Sequence, residues 1–223
     1  MREIFGKHVY DSLEEIVNPK HTAILVVDMQ NDFCSIGGFF EGVGLNIATG
    51  QEMLPNLVRL IDEGRKRGAE IISTQSTTLK DGLSDSASWL SGKVRVARVK
   101  AEASPQVYSE EGTWGEEFIE DMAPRTGEPV VKKHRSGGFV STALDLILRA
   151  NGIETVIITG TVSHSCVEDT ARGALDHGYY VVLASDCVCS AFKAEMHEAA
   201  LKYLPLICEV VPSDEILKTW AES

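Results

Sequence analysis

Residues 23–27 of the run TAILVVDM are all apolar, and VIIT at 156–159 repeats the pattern. A strand that is apolar on both faces belongs to a sheet covered on both sides, which favours parallel pairing. Shorter runs at 69–73, 129–132, 179–184 and 207–211 complete a set of six predicted strands. The intervening stretches change to helical spacing. Leu54, Leu57, Val58 and Ile61 share one face of a helix predicted over 51–67, with Gly68 as its stop. Val167, Ala171, Ala174 and Leu175 fall at i, i+4, i+7 and i+8. Further helices are predicted over 142–150, stopped by Asn151-Gly152, over 191–203, and over 213–220 with Ser213 as cap. Strands that alternate with helices predict an α/β fold, a three-layer, doubly wound and mostly parallel six-stranded sheet with helices on both faces. The common strand order for such a sheet is 3-2-1-4-5-6.

Two segments break the alternation. Residues 1–20 are mixed and polar, and read as an arm lying on the surface or on a partner subunit. Residues 74–127 carry no strong periodicity, which inside a compact domain marks a loop-rich, functional segment. It holds Trp89, Trp114 and GTWGEEF, with a short helix expected over 115–122. The length of 223 residues fits a single domain spanning 1–223.

Composition narrows the function. A net charge of −12, with the acids spread along the chain, gives no footprint for nucleic acid or for an anionic membrane. No apolar run is long enough to cross a bilayer. Five cysteines at irregular spacings, with no leader-like segment before them, point to reduced thiols and a cytoplasmic home.

Ligands of doubly wound sheets bind beyond the carboxyl ends of the strands, near the switch in strand order. Asp28 closes the first strand, Lys133 follows the third and Cys166 follows the fourth, so a parallel sheet brings all three to one edge. A carboxylate that closes a buried strand must be solvated, paired or functional, because burial without a partner is costly. Cys166 lies where a strand's end meets a helix's start, a place where free N–H groups and the helix dipole lower a thiol's pKa. The plainer alternative is an ordinary buried thiol. Together a carboxylate base, a thiol nucleophile and an ammonium can open a carbonyl compound. The thiolate attacks the carbon, an amine leaves, and water hydrolyses the thioester, with backbone N–H groups holding the oxyanion.

DMQNDF on the first strand, K-x-R-x-x-x-F at 133–139 and TG-x-x-S-x-x-CV at 159–167 resemble the isochorismatase-like cysteine hydrolase superfamily. The resemblance covers residues 22–211, and GTWGEEF with an aromatic after Gly37-Gly38 is closest to its carbamoyl and ureide amidase branch. It implies Asp28 as general base, Lys133 as catalytic lysine and Cys166 as nucleophile. It also implies a cis Thr161–Val162 peptide and an oxyanion hole formed by the N–H groups of Val162 and Cys166. Gln30, Phe33, Trp114, Arg135, Thr161 and His164 are candidate pocket residues. Arg135 could meet a substrate carboxylate or make a surface or interface salt bridge, and His164 could line the pocket or be exposed. Lys132 competes with Lys133 for the inward position, and Cys34 is the competing thiol. Cys187 and Cys189 read as core thiols. Nicotinamidases of this superfamily carry an Asp-x-His…His metal site after the second strand, whereas this chain reads STQSTTLKDG there. No metal and no cofactor are therefore expected.

The leading expectation is a cysteine-dependent hydrolase of a C–N amide bond in a small carbamoyl, ureide or amide compound, acting as a homo-oligomer (dimer or tetramer). The alternatives are an isochorismatase-type hydrolase of a small acid and a non-catalytic oligomeric scaffold or small-molecule binder.

Overall fold

The computed structural model describes residues 1–97 and 108–222. At the amino end, β1 (Arg2–Ile4) and β2 (Lys7–Val9) form an antiparallel hairpin. Phe5 and Gly6 turn it with φ of 51° and 74°, the twist that suits a two-residue hairpin. The helical turn α1 (Leu13–Ile16) follows, capped by the Ser12 hydroxyl, which accepts the Glu15 N–H at 3.2 Å. The segment expected as a plain arm is thus structured, and Tyr10 packs on Tyr180 with ring centroids 4.9 Å apart.

The body of the chain runs β3 (Thr22–Val27), α2 (Asn31–Cys34), α3 (Phe39–Gly42), α4 (Ala48–Arg67), β4 (Glu70–Ser76), α5 (Ala87–Ala97) and β5 (Val130–Lys133). It continues through α6 (Leu144–Ala150), β6 (Thr155–Thr161), α7 (Glu168–Asp176), β7 (Tyr180–Cys189), α8 (Ala194–Tyr203), β8 (Glu209–Val211) and α9 (Ser213–Glu222). The six body strands form one sheet, ordered β5-β4-β3-β6-β7-β8, and every neighbouring pair is parallel. Counted among the body strands this is the predicted order 3-2-1-4-5-6.

The unbroken apolar runs are explained by what covers each face. Ile24, Val26, Ile71 and Ile157 point to one side, where Leu57, Leu60 and Ile61 of α4 and Trp220 of α9 cover them. Leu25, Val27, Ile72 and Ile158 point to the other, against Leu148 of α6, Ala171 of α7 and Ala200 of α8. No helix among the described residues is long and apolar enough to cross a membrane.

Several boundaries differ from expectation for local reasons. Helix α4 begins at Ala48, with Pro55 inside its first turns. The helix expected over 115–122 is instead a run of turns up to Glu117, an isolated bridge of Phe118 to Gln30 and a 3-10 turn, Glu120–Met122. Backbone hydrogen bonds from Asn31 N to Glu117 O (2.9 Å) and from Asp32 N to Gly115 O (3.1 Å) hold it against the loop after β3. A Cβ on Gly115 would lie 2.4 Å from the Asp32 carboxylate, so the contact requires glycine there. Helix α5 lies inside the segment read as loop-rich, of which residues 98–107 lie outside the described residues.

At the switch between β3 and β6, Gly160 has φ of 98°, and a Cβ there would stand 2.1 Å from the Val27 carbonyl oxygen. Both the conformation and the approach exclude a side chain. Gly160→Ala is expected to destabilise the fold by about 2–5 kcal/mol, from overpacking of about 1–3 and left-handed strain of about 1–2. The check is the midpoint of urea unfolding, and a shift worth under about 0.5 kcal/mol would show that the strands separate freely here.

Candidate active site

Strand β3 delivers Asp28 to the sheet edge. Its N–H donates to Thr74 O of the neighbouring β4 at 3.2 Å, and its φ of 52° turns the chain sharply out of the strand. A non-glycine residue there is uncommon, though aspartate tolerates it better than most. The side chain is 1% exposed. The Thr74 hydroxyl donates to Oδ1 at 2.8 Å, while Oδ2 lies 2.7 Å from Lys133 Nζ. That second contact is an ion pair between two buried groups at hydrogen-bond distance. Both oxygens are therefore held, and the Cys166 thiol lies within hydrogen-bond reach of the same carboxylate.

Lys133 is the last residue of β5 and is fully buried. Its ammonium faces Asp28 and donates to the carbonyls of Arg135 (3.1 Å) and Ser136 (2.9 Å), which accounts for its three N–H groups. Burial works against the charge, but the Asp28 carboxylate and the Cys166 sulfur outweigh it and hold Lys133 above its ordinary pKa. Lys132, the other candidate, is exposed and pairs with Glu116 at 3.0 Å. Alternation along β5 explains the division, since adjacent residues take opposite faces.

Cys166 sits in a π-helical turn, Ser163–Val167, between β6 and α7. The thiol is half-buried. Burial pushes its pKa up to about 12, the Lys133 ammonium opposing and the Asp28 carboxylate adding to the rise. Loss of water around the sulfur is the largest cause, and it acts in the opposite sense to the lowering expected at a helix start. Burial thus favours the protonated thiol, and formation of a thiolate calls for a proton acceptor beside it.

The three side chains border a cavity of about 390 Å³. Thr161, Val162, His164, Phe33 and Arg135 share its wall, and the Thr161–Val162 peptide is cis. Phe33 packs on Phe40 at 4.9 Å, and His164 stands edge-on to Phe192 at 5.3 Å with Nδ1 3.4 Å from the Ser190 hydroxyl. Burial lowers the His164 pKa.

Gln30 and Trp114 are placed away from this wall. The Gln30 amide donates to Ser76 O (2.9 Å) and Glu116 O (2.8 Å) and accepts from Ser76 N (2.7 Å), clamping the end of β4 to the turn at Glu116. Its groups are satisfied by backbone and are not turned to a ligand. Trp114 is 50% exposed. Cys34 is buried outside the cavity wall, with its pKa raised by burial.

The structure adds residues that the sequence reading missed. Trp89 and Lys93 stand four apart on α5 and both line the cavity, so helical spacing in that segment was the available signal. Lys93 is buried and pairs with Asp85 at 2.6 Å, donates to the Thr78 hydroxyl at 2.7 Å, and lies 4.8 Å from the Tyr108 ring centroid. Thr74 was legible only through the register, which sets it beside Val27. Among the described residues, no group of three or more His, Cys, Asp or Glu could hold a metal ion.

Comparison with known proteins agrees with this geometry. The isochorismatase domain pattern matches residues 22–215. A ureidoacrylate amidohydrolase of Agrobacterium fabrum is 31% identical over 175 residues, covering 76% of each chain. Its counterpart from Variovorax paradoxus is 31% identical over 185 residues, 81% of this chain and 73% of the relative. Among solved structures, an isochorismatase-like hydrolase from Alkaliphilus metalliredigens superposes with a TM-score of 0.73 at 31% identity, covering 89% of this chain and 98% of its own. N-carbamoylsarcosine amidase from Thermoplasma acidophilum gives a TM-score of 0.65 at 26% identity, covering 86% and 96%.

Proposed function

The chain belongs to the isochorismatase domain family, as an amidohydrolase acting on carbon–nitrogen bonds other than peptide bonds, and from that premise we propose that it cleaves a small carbamoyl or ureide compound through a thioester on Cys166. The observation that carries this reading is the buried Asp28–Lys133 ion pair on the same cavity wall as the Cys166 thiol.

The substrate carbonyl enters above Cys166. The sulfur attacks the carbonyl carbon as its proton passes to Asp28 Oδ2, so the high thiol pKa is bypassed by transfer within the site. Lys133, held positive, stabilises the developing thiolate and pairs with the Asp28 carboxylate again once Asp28 has passed its proton on. The N–H groups of Val162 and Cys166 receive the oxyanion. Asp28 returns its proton to the leaving nitrogen, the C–N bond breaks, and ammonia or an amine departs. Water, deprotonated by Asp28, then attacks the thioester carbon, releases the acid and restores the thiol. All five cysteines are unpaired, which supports a reducing, cytoplasmic setting for a thiol nucleophile.

A panel of small amides and ureides scored for ammonia release tests the proposal. Turnover is expected on ureide or carbamoyl compounds, and it should survive prolonged chelation. Activity that is lost with a chelator and returns only with added zinc would contradict the metal-free reaction, and a panel with no turnover would contradict the proposal itself.

A further inference from the structure

Two imidazoles hold the turn that carries Cys166, one from within it and one from behind. His164 belongs to the turn and lines the cavity, edge-on to Phe192 and 3.4 Å from the Ser190 hydroxyl. His197 lies on α8, outside the cavity wall, and its Nδ1 is 3.0 Å from the Ser163 hydroxyl. Ser190, Phe192 and His197 belong to the segment that leaves β7 and enters α8. One stretch of chain therefore braces both Ser163 and His164.

Ser163 opens the π-helical turn, next to Val162 and three residues before Cys166. It is fully buried, and among the described residues His197 is the one hydrogen-bond partner of its side chain. Leaving a buried hydroxyl unpaired is costly, so this contact fixes where the turn begins. Within the turn, the N–H groups of Ser165 (3.0 Å) and Val167 (3.2 Å) both donate to the Val162 carbonyl. The Thr170 hydroxyl donates to the Cys166 carbonyl at 2.6 Å. The turn is thus one hydrogen-bonded unit, and a shift at Ser163 moves the Val162 N–H and the Cys166 thiol together. Burial lowers the His197 pKa, with Glu198 opposing, which keeps the imidazole neutral at neutral pH.

Resting on the cysteine-hydrolase reading, we infer that His197 is a positioning residue for the nucleophile. Through Ser163 it sets the turn so that the Val162 N–H meets the oxyanion while the Cys166 sulfur stays beside Asp28. His197 touches no substrate, so its loss weakens the transition state and spares ground-state binding.

The test follows ammonia release from N-carbamoylglycine and the labelling of Cys166 by iodoacetamide. His197→Leu keeps the bulk and removes the hydrogen bond. Its kcat is expected to fall by about 10–10²-fold, the scale of a small misplacement of reacting groups, with KM within a few-fold. Ser163→Ala should lose a similar amount, and the double variant should be little worse than either single, because both remove one contact. His197→Asn, whose amide can take the place of Nδ1, should recover most of the loss. Ala200→Gly, on the same helix with its side chain in the core, is the control for a loosened helix. It should lower Tm by about 2–4 °C and leave kcat within a few-fold. An unchanged kcat in His197→Leu, additive losses in the double variant, or His197→Asn no better than His197→Leu overturns the inference even where hydrolysis upholds the reaction. So does a kcat loss in Ala200→Gly as large as that in His197→Leu. Should His197→Leu fail to fold, Ser163→Ala carries the comparison, and an unchanged kcat there overturns the inference. If N-carbamoylglycine is not hydrolysed, labelling decides. A Cys166 rate that falls in His197→Leu and returns in His197→Asn supports the positioning role while the reaction reading fails, and equal rates overturn the role as well.

Discussion

Asp28→Asn is expected to lower kcat by at least about 10²–10⁴-fold, the contribution of one general acid–base group, because Asp28 moves a proton in both half-reactions. Asparagine keeps the shape and can still accept from the Thr74 hydroxyl, which donates to Oδ1 at 2.8 Å. It cannot take the thiol proton, and without that transfer a thiol pushed up to about 12 stays protonated. Lys133→Met should lose a similar amount, and the double variant should be little worse than either single, since members of one catalytic unit are strongly non-additive. Stability should follow the opposite logic. Each single variant leaves a charge buried without its partner and is expected to cost about 3–5 kcal/mol, whereas the double variant, with neither charge, should recover much of that. Steady-state kinetics and urea unfolding on the same four proteins check both patterns. A kcat for Asp28→Asn within a few-fold of wild type would remove the proton-relay mechanism.

Cys166→Ala should fold normally and lose turnover on the order of 10⁵-fold or more, the scale seen when a lone nucleophile is removed from its unit. The rival thiols are poorly placed. Cys34, Cys187 and Cys189 are buried, and Cys208 is half-buried between Leu204 O, its partner at 3.5 Å, and the start of β8, away from the cavity wall. Iodoacetamide should therefore inactivate the enzyme by labelling Cys166. The rate of labelling should fall in Asp28→Asn, since the thiolate depends on that carboxylate. Peptide mapping after partial inactivation reads both points. Inactivation that tracked Cys34 instead would reassign the nucleophile.

What was legible in the chain followed from periodicity and from strand ends. Runs apolar on both faces indicate the parallel sheet, and the ends of β3, β5 and β6 bring Asp28, Lys133 and Cys166 to one edge of it. What stayed hidden depends on contacts between distant segments. The segment around Gly115 looked helical because no local signal records that Asn31 and Asp32 bind the carbonyls of its turns. Gln30 looked like a pocket residue from its place after Asp28, yet its amide joins two backbone segments more than forty residues away. Trp114 was singled out for its neighbours in sequence, while Trp89, on a helix with weak patterning, forms the wall and stacks on Arg135. Burial of the thiol, the largest influence on its pKa here, was likewise hidden, because helix position is visible in sequence and desolvation is not.

The central claim is the covalent step at Cys166, and rapid quench with mass analysis tests it most directly. Enzyme mixed with excess substrate and stopped in acid within one turnover should carry a transient mass increase equal to the acyl fragment left after the amine departs. Digestion should place it on the peptide containing Cys166, and neutral hydroxylamine should remove it, as expected of a thioester. It should rise and decay at rates consistent with kcat, and be absent from Cys166→Ala. Continued ammonia release with no adduct at any time, at a rate that Cys166→Ala retains, would contradict the account.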